Sequence, residues 1–323
     1  MRLGLSVYGT VYSMGISPDS GRPTIRPTEL IDQALAYGLE GVEIPISLLE
    51  NEDAAAVAKY ASERGVFIGL ETVGFEPHHL AESIELAARM GVPTLRTIVM
   101  GAKLGGDRRA LAGRWKSFLD DIHTELRKAL EVAEHAGVNL AVENHQDIAS
   151  EELLWLCESL NSENFGVIFD TGSTLATAED PVDFARRVEK YIKHVHLKDY
   201  SIYLSEEGYR LVRCPLGQGA VNFSELFSIF SKACPNVTMS VEVGALEARH
   251  VRMLADDYWP DYPPRTAAQL VKVLRMVQAN AKPPGDWRTP YEKGESVEAI
   301  MAYENRQLES SLAYIQHALR KYG

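Results

Sequence analysis

The stretch LEVAEHAGVNLAVEN, residues 130–144, holds the end of one helical pattern, a stop signal and one whole strand. Its first half spaces apolar residues three and four apart, which is the spacing of one face of an α-helix. Gly137 follows directly, and glycine is the expected helix stop because it adopts a positive φ without steric cost. Residues 139–144 then form an apolar run that closes on Glu143. The stretch predicts a helix that leads straight into a buried strand.

The same unit recurs along the chain. Helical patterns also end at Gly38, Gly65 and Gly91, each just before a further apolar run. The predicted strands cover residues 3–8, 41–46, 66–72, 94–99, 139–144, 165–171, 194–199 and 237–244. Strands that alternate with helices indicate a parallel sheet, because each parallel pair needs a crossover. Eight such units favour an α/β fold of the closed (β/α)8 TIM-barrel type, with an open doubly wound sheet as the alternative.

The C-terminal part of the chain exceeds what a standard barrel needs. Helical patterns at 266–280 and 296–321 flank a loop rich in proline and glycine. We therefore predict a catalytic barrel domain over residues 1–280. A loop and helix extension over residues 281–323 would cover the barrel or contact a partner or another subunit.

Composition and charge narrow the class of ligand. The chain of 323 residues is 46% hydrophobic and 24% charged, as in an ordinary globular protein. Its net charge of −12 repels polyphosphate and disfavours nucleic acid as a partner. No apolar run reaches the roughly 18 residues of a membrane span, and three cysteines without a CxxC spacing suggest free thiols in a reducing compartment. These features predict a cytoplasmic protein that binds a small molecule.

Charged residues stand at the predicted carboxyl ends of the strands, where barrel enzymes place their chemistry. They are Glu43, Glu71, Glu143, Asp170, His194, His196 and Glu242. Each carboxylate alone is more typical of a helix cap or of a partner for lysine or arginine. Their recurrence at successive strand ends indicates a shared site.

Glu143, Asp170, His196 and Glu242 form the strongest set. Each ends an apolar run, where an unpaired charge costs several kcal/mol. Carboxylates that face one centre repel each other unless a cation lies between them. Oxygen ligands with one histidine suit Mn²⁺ best, with Mg²⁺, Co²⁺ or Zn²⁺ as alternatives.

The remaining candidates carry two interpretations each. Glu43 and Glu71 either bind substrate or hold Arg96 in an interior ion pair. His194 and His196 point to the same side of their strand, so the deeper His194 would be hydrogen-bonded within the core. Lys198 either holds a substrate oxygen or is a solvated lysine at the rim.

Six motifs resemble the xylose isomerase-like TIM-barrel superfamily of sugar isomerases and epimerases. They are GVEIPI (41–46), LAVENH (140–145), VIFDTGS (167–173), HVHLKDY (194–200), PLGQGAVNFSEL (215–226) and SVEVG (240–244). The resemblance implies a metal bound by Glu143, Asp170, His196 and Glu242. It also implies that Glu143 and Glu242 exchange a proton with a carbon next to a carbonyl. Substrate contacts are then expected from Lys198, Glu43, Glu71 and Arg96.

The segment at residues 143–147 resembles one group within this superfamily more than the others. The ketose 3-epimerases have a histidine where this chain has Ser173, whereas ENHQD (143–147) is similar to the larger subunit of the bacterial C-glycoside deglycosidases. That resemblance implies a lyase that cleaves 3-oxo-glycosides by β-elimination, with a small β-rich second subunit. His145 is then a catalytic acid or base, because its ordinary pKa lies near neutrality. The alternative for His145 is a hydrogen bond to the neighbouring loop.

Other functions stay open on the same barrel. They are ketose 3-epimerisation, sugar isomerisation and dehydration of an inosose-type polyol. An endonuclease IV-like DNA-repair nuclease would need more metal-binding histidines and a basic face. A sugar sensor without activity is the last alternative. We expect a sugar or glycoside substrate, an oligomer, and neither nucleic acid nor membrane as a partner.

Overall fold

A computed structural model of the chain describes residues 1–244 and 246–322. Eight parallel strands close into a barrel, namely β1 (Arg2–Ser6), β2 (Gly41–Pro45), β3 (Phe67–Val73), β4 (Thr94–Ile98), β5 (Asn139–Glu143), β6 (Phe165–Asp170), β7 (Ile192–Leu197) and β10 (Thr238–Val241). Each is hydrogen-bonded to two neighbours, in the order β1-β10-β7-β6-β5-β4-β3-β2. The predicted (β/α)8 barrel is confirmed, and the open sheet is wrong because β1 pairs with both β2 and β10.

Helices surround the barrel and follow its strands. They are α1 (Pro27–Ala36), α2 (Ala54–Ser62), α3 (Pro77–Met90), α4 (Trp115–Ala136), α5 (Ser150–Leu160), α6 (Pro181–Val188), α7 (Phe223–Ala233), α8 (Ala267–Asn280) and α9 (Val297–Leu319). Among the described residues, no helix combines the length and the apolar character that a membrane crossing requires.

The predicted helix boundaries have visible causes. Gly91 and Gly137 end α3 and α4 with φ of 68° and 66°, and their N–H groups donate to carbonyls of the preceding turn. Asn222 begins α7, where its side chain accepts from the Glu225 N–H. Local stop and start signals therefore fix where the crossover helices end and begin.

A second, smaller sheet lies over the carboxyl ends of the barrel strands. It consists of β8 (Tyr200–Ser205), β9 (Gly208–Arg213) and β11 (Arg249–Val251), all antiparallel, and we refer to it as the mouth sheet. Residues of this sheet and of the segment after it reach the loops that follow β4 and β6. The Tyr209 hydroxyl donates to Leu175 O at 2.6 Å, and the Tyr262 hydroxyl donates to Gly106 O at 2.6 Å. The barrel mouth is thereby covered.

The two C-terminal helices pack in different places. Val273 and Val277 of α8 join the apolar cluster formed by side chains of the mouth sheet. Leu308, Leu312 and Ile315 of α9 instead join the main core of the barrel. The domain boundary at residue 280 remains a prediction, but the helix beyond it shares its core with the barrel.

Candidate active site

Four of the predicted side chains meet at the barrel mouth. Glu143 and Asp170 are the last residues of β5 and β6, His196 lies in β7, and Glu242 directly follows β10. One potential ligand atom from each lies within 4.8 Å of the others. Glu143, Asp170 and His196 are 0% exposed and Glu242 is 4% exposed. The parallel strands thus bring together the set that the sequence predicts, and this set can hold a metal ion.

Glu143 and Glu242 are each anchored by one oxygen and free at the other. Arg96 Nε donates to Glu143 Oε2 at 2.5 Å, and Lys198 Nζ donates to Glu242 Oε1 at 2.9 Å. Glu143 Oε1, Glu242 Oε2 and His196 Nδ1 have no hydrogen-bond partner within the described part of the chain. His196 Nδ1 lies 3.4 Å from Glu143 Oε1 and 3.0 Å from Glu242 Oε2. Three buried, unsatisfied atoms therefore face one point.

Asp170 is held more fully. Its Oδ1 accepts from the N–H groups of Gly172 and Ser173 at 3.0 and 2.9 Å, and its Oδ2 accepts from Lys198 Nζ at 2.5 Å. Asn144 fixes the backbone of Asp170 from β5, since its side chain both donates to Asp170 O and accepts from Asp170 N. Lys198 is completely buried, so its interpretation as a solvated rim lysine is wrong.

Glu43, Glu71, Arg96 and His194 form a layer beneath this point. Arg96 Nη1 donates to Glu71 Oε2 at 2.8 Å, as the interior ion pair predicts. Glu43 instead lies 3.0 Å from His196 Nε2 through its Oε1. His194 contacts the hydroxyls of Thr238 and Ser240, which confirms its expected place in the core.

The surrounding charges set the protonation of the carboxyl groups. Burial alone would raise the pKa of Glu242, but Lys198 and His196 outweigh burial and hold this pKa well below its usual range. Burial opposes ionisation of Glu143 too, yet Arg96 and His196 keep its pKa low. Burial raises the pKa of Glu71 to about 8 in spite of Arg96. Glu143 and Glu242 are therefore ionised at neutral pH.

His145 lies two residues after Glu143 and is half-buried. Burial lowers its pKa to about 4, against the nearby charge of Glu143. The rest of the loop has structural partners: Gln146 Oε1 accepts from Gly105 N at 2.9 Å, and Asp147 O accepts from Arg108 Nε at 3.2 Å. Gln146 and Asp147 thus shape the loop, while His145 stands beside the predicted base.

The sequence reasoning missed two residues of the site. Tyr8 follows β1 and is half-buried, and burial together with the charge of Glu71 raises its pKa. Arg213 ends β9, donates through Nη1 to Gly244 O at 2.5 Å, and places Nη2 4.0 Å from Glu242 Oε1. Tyr8 closes the first predicted strand and was available as a signal. Arg213 depends on a hairpin that the sequence analysis did not predict.

Two curated proteins show distant similarity to this chain. It is 24% identical to the uncharacterised protein YihM of Escherichia coli K12 over 212 residues, which are 63% of this chain and 62% of YihM. It is 21% identical to 3-oxo-isoapionate decarboxylase of Pectobacterium atrosepticum over 199 residues, which are 61% of this chain and 68% of that protein. The chain therefore matches less than two thirds of the length of YihM.

Solved structures share the fold at low sequence identity. A structure of L-ribulose 3-epimerase matches with a TM-score of 0.62 and 16% identity, covering 99% of this chain and 95% of that one. A crystal structure of the IolI protein with a bound zinc atom matches with a TM-score of 0.57 and 16% identity, covering 87% and 99%. Both likenesses concern the barrel architecture.

The family assignment rests on most of the chain. The family model described as xylose isomerase-like TIM barrel matches residues 31–275, which run from α1 to α8 and include all four clustered side chains. The closed barrel and the clustered strand ends agree with that match. This chain belongs to the xylose isomerase-like TIM-barrel family.

Proposed function

We propose that the protein is a divalent-metal-dependent enzyme that removes the proton α to the carbonyl of a keto-sugar. One observation carries the proposal: Glu143 Oε1, His196 Nδ1 and Glu242 Oε2 are buried, unsatisfied and directed at one point. Buried polar atoms are normally hydrogen-bonded, yet among the described residues these three atoms have no polar neighbour within bonding distance except one another, as expected for atoms that share a ligand. A metal ion accepts electron pairs from all three.

The charges of the site favour a bound cation. Five buried carboxylates belong to the site, namely Glu43, Glu71, Glu143, Asp170 and Glu242. The buried cations beside them are Arg96, Lys198 and Arg213. Because the pKa of Glu71 is raised to about 8, four of the carboxylates are charged at neutral pH and outnumber these three cations, so the site carries an excess of negative charge that a metal cation would offset. Oxygen donors with one imidazole favour Mn²⁺, while Mg²⁺, Co²⁺ and the Zn²⁺ found in the IolI structure suit the same donors.

The chain itself supplies the proton transfer. When bound, a divalent ion polarises the substrate carbonyl and stabilises the negative charge that develops on its oxygen. Glu143 ends β5 and Glu242 follows β10, with β6 and β7 between these strands, so the two glutamates approach a substrate from different directions. Both are ionised and can take or return the proton. Lys198 uses two of its three N–H groups on Asp170 and Glu242, so the third can donate to a substrate oxygen.

The first test follows the proton. We expect Glu143→Gln and Glu242→Gln to abolish exchange of the α hydrogen of a keto-sugar with solvent deuterium, because an amide cannot accept that proton. Proton NMR of the substrate in D2O measures the exchange.

Glu179→Gln is the matched control. Glu179 is also a buried glutamate, but it bonds Ser150 and Thr177 outside the site. This variant should exchange the hydrogen at the wild-type rate. Full exchange in both site variants would contradict the proposed mechanism.

The narrower proposal is a C-glycoside deglycosidase catalytic subunit, a lyase that cleaves 3-oxo-glycosides. A base removes the C2 proton, the electron pair forms an enolate with the C3 carbonyl, and re-formation of that carbonyl expels the group at C1 while an acid protonates it. His145 lies at the mouth near Glu143 and is the group that we assign to proton transfer at C1. Its pKa is about 4 rather than near neutrality, so it starts neutral and donates only after it has taken up a proton. The name of the curated decarboxylase relative also specifies a 3-oxo compound. Three other activities begin with the same proton abstraction and are the alternatives: ketose 3-epimerase, sugar isomerase and inosose-type dehydratase.

His145→Ala separates these reactions. We expect this variant to lose cleavage of a 3-oxo-C-glycoside and to keep deuterium exchange at C2, because Glu143 and Glu242 are intact. Chromatography of the released aglycone and NMR of the sugar measure the two steps. Wild-type protein that epimerises ketoses and releases no aglycone would support the epimerase instead.

The deglycosidase proposal extends to partners and place. It includes a small β-rich second subunit, an oligomeric assembly and a cytoplasmic location. Purification of the tagged chain from its native cells, followed by mass spectrometry, tests whether such a subunit accompanies it.

A further inference from the structure

Glu43 reaches across the barrel to His196. It lies in β2, which β1 and β10 separate from β7, and its carboxylate faces the interior at 1% exposure. Glu43 Oε1 and Oε2 lie 3.0 and 2.8 Å from His196 Nε2. The neighbouring residue on β3 is Gly69, where a Cβ would lie 3.4 Å from Glu43 Cγ. The small residue leaves room for the glutamate side chain to extend inward.

We propose that Glu43 is a positioning residue that fixes His196 in the tautomer that presents Nδ1 to the metal. The inference rests on the proposed function, because it concerns the same metal site. A neutral imidazole carries one proton, on either nitrogen. If Nε2–H donates to Glu43, the lone pair of Nδ1 is directed at the point that Glu143 Oε1 and Glu242 Oε2 also face.

The opposite tautomer would be unproductive. A proton on Nδ1 would occupy the place of the metal and leave Nε2 as an acceptor against a carboxylate, with no donor between them. Glu43 makes that arrangement unfavourable, because a buried carboxylate needs a donor. The proton therefore stays on Nε2 once a metal binds Nδ1.

The Glu43 layer does not provide a second metal site of equal quality. Glu43, His194 and His196 also lie within 4.8 Å of one another. Both ring nitrogens of His194, however, are engaged by hydroxyls, at 2.7 Å to Thr238 Oγ1 and 2.9 Å to Ser240 Oγ. His194 therefore has no free lone pair, and the Glu43 contact serves His196.

The test measures metal binding rather than turnover. Mn²⁺ is titrated calorimetrically into metal-free protein for the wild type, Glu43→Leu, Glu43→Gln and Glu179→Gln. Partners of ligating histidines typically contribute 10- to 100-fold to metal affinity, so Glu43→Leu should bind Mn²⁺ about 10- to 100-fold more weakly. Glu43→Gln keeps an oxygen that accepts from Nε2–H and should recover most of that loss. Glu179→Gln should bind as the wild type does.

The outcomes separate this inference from the proposed function. Equal affinity of Glu43→Leu and wild type would overturn the role of Glu43 and leave the metal site intact. A wild type that binds no Mn²⁺ or other divalent ion would overturn both. If Glu43→Leu does not fold, ¹⁵N shifts of the ligating imidazole in Zn²⁺-loaded wild type decide: a proton on Nε2 supports the inference, and a proton on Nδ1 overturns it.

Discussion

At the scale of single residues, the site is built from buried ions that hold each other in place. Arg96 binds both Glu71 and Glu143, and Lys198 binds both Asp170 and Glu242. Each cation thus serves two carboxylates, while Glu143 and Glu242 each keep one oxygen free. Burying ion pairs of this kind costs free energy, because charged groups are removed from water. The arrangement indicates that precise orientation of Glu143 and Glu242 outweighs stability here.

Lys198→Met tests this dependence. Removal of the ammonium leaves Asp170 and Glu242 buried without their shared cation, which typically costs about 3 to 5 kcal/mol. We expect the free energy of unfolding in urea, measured with a chelator present, to fall by that order. Added Mn²⁺ should recover part of the loss, because the ion supplies positive charge to the same carboxylates.

Lys193→Met is the matched control on the same strand. Lys193 points outward from β7 and donates to Glu163 O at 2.7 Å, so its replacement should change stability by less than about 1 kcal/mol. A similar fall in the free energy of unfolding in both variants would contradict the role of Lys198 as the shared cation of Asp170 and Glu242.

Sequence patterns predicted most of these residues for a physical reason. A charged residue that closes an apolar run must find a partner, and parallel strands place their carboxyl ends together. Glu143, Asp170, His196 and Glu242 follow from that rule. The contact between Glu43 and His196 does not, because it crosses the barrel interior between strands that are not neighbours. Side-chain contacts across the barrel interior depend on closure of the sheet, and a local sequence pattern does not predict which side chains then meet.

At the scale of elements, the crossover units were predictable and the mouth sheet was not. Glycine stops and helical spacing mark the barrel helices clearly. Tyr200, Ile202 and Leu204 alternate with polar residues before a turn, and Tyr209 and Leu211 alternate after it, which is a hairpin pattern. This local pattern indicates the β8–β9 hairpin, whereas the pairing of β11 with β9 joins distant segments and has no local signal.

Arg108 joins the loop after β4 to the segment that follows the mouth sheet. Its guanidinium lies 3.8 Å from the ring centre of Trp115 and 3.7 Å from that of Tyr262, and it binds Glu152 through two nitrogens. It is 3% exposed. One buried cation thus connects the barrel helices with the covering layer.

Arg108→Ala should therefore destabilise the protein. The substitution leaves the buried Glu152 carboxylate without its guanidinium partner and removes two cation–π contacts. We therefore expect the free energy of unfolding to fall by about 3 kcal/mol. Arg109→Ala provides the comparison, because Arg109 is exposed and pairs with Asp107 at the surface. That variant should lose less than about 1 kcal/mol in the same urea titration. Equal effects would contradict the role of Arg108.

At the scale of the whole molecule, the net charge bears on the class of partner, and the fold determines where the acidic side chains lie. The net charge of −12 disfavours nucleic acid, while the barrel gathers five acidic side chains into one interior. Fold class was predictable because eight repeated units admit few arrangements. The packing of α9 was not predictable, since an amphipathic C-terminal helix fits either the barrel wall or a partner. The structure places it on the barrel core.

The position of α9 also has a consequence for the order in which the site forms. The carboxylate of Glu304 in α9 accepts from the backbone N–H groups of Val11 and Tyr12, at 2.9 and 2.8 Å. Those groups belong to the loop that begins beside Tyr8, close to the N-terminus. During synthesis on the ribosome, this loop lacks its partner until α9 has emerged, which is after all eight barrel strands. The barrel mouth beside Tyr8 is therefore completed only after α9 has been made, so the eight barrel strands by themselves do not give the finished site.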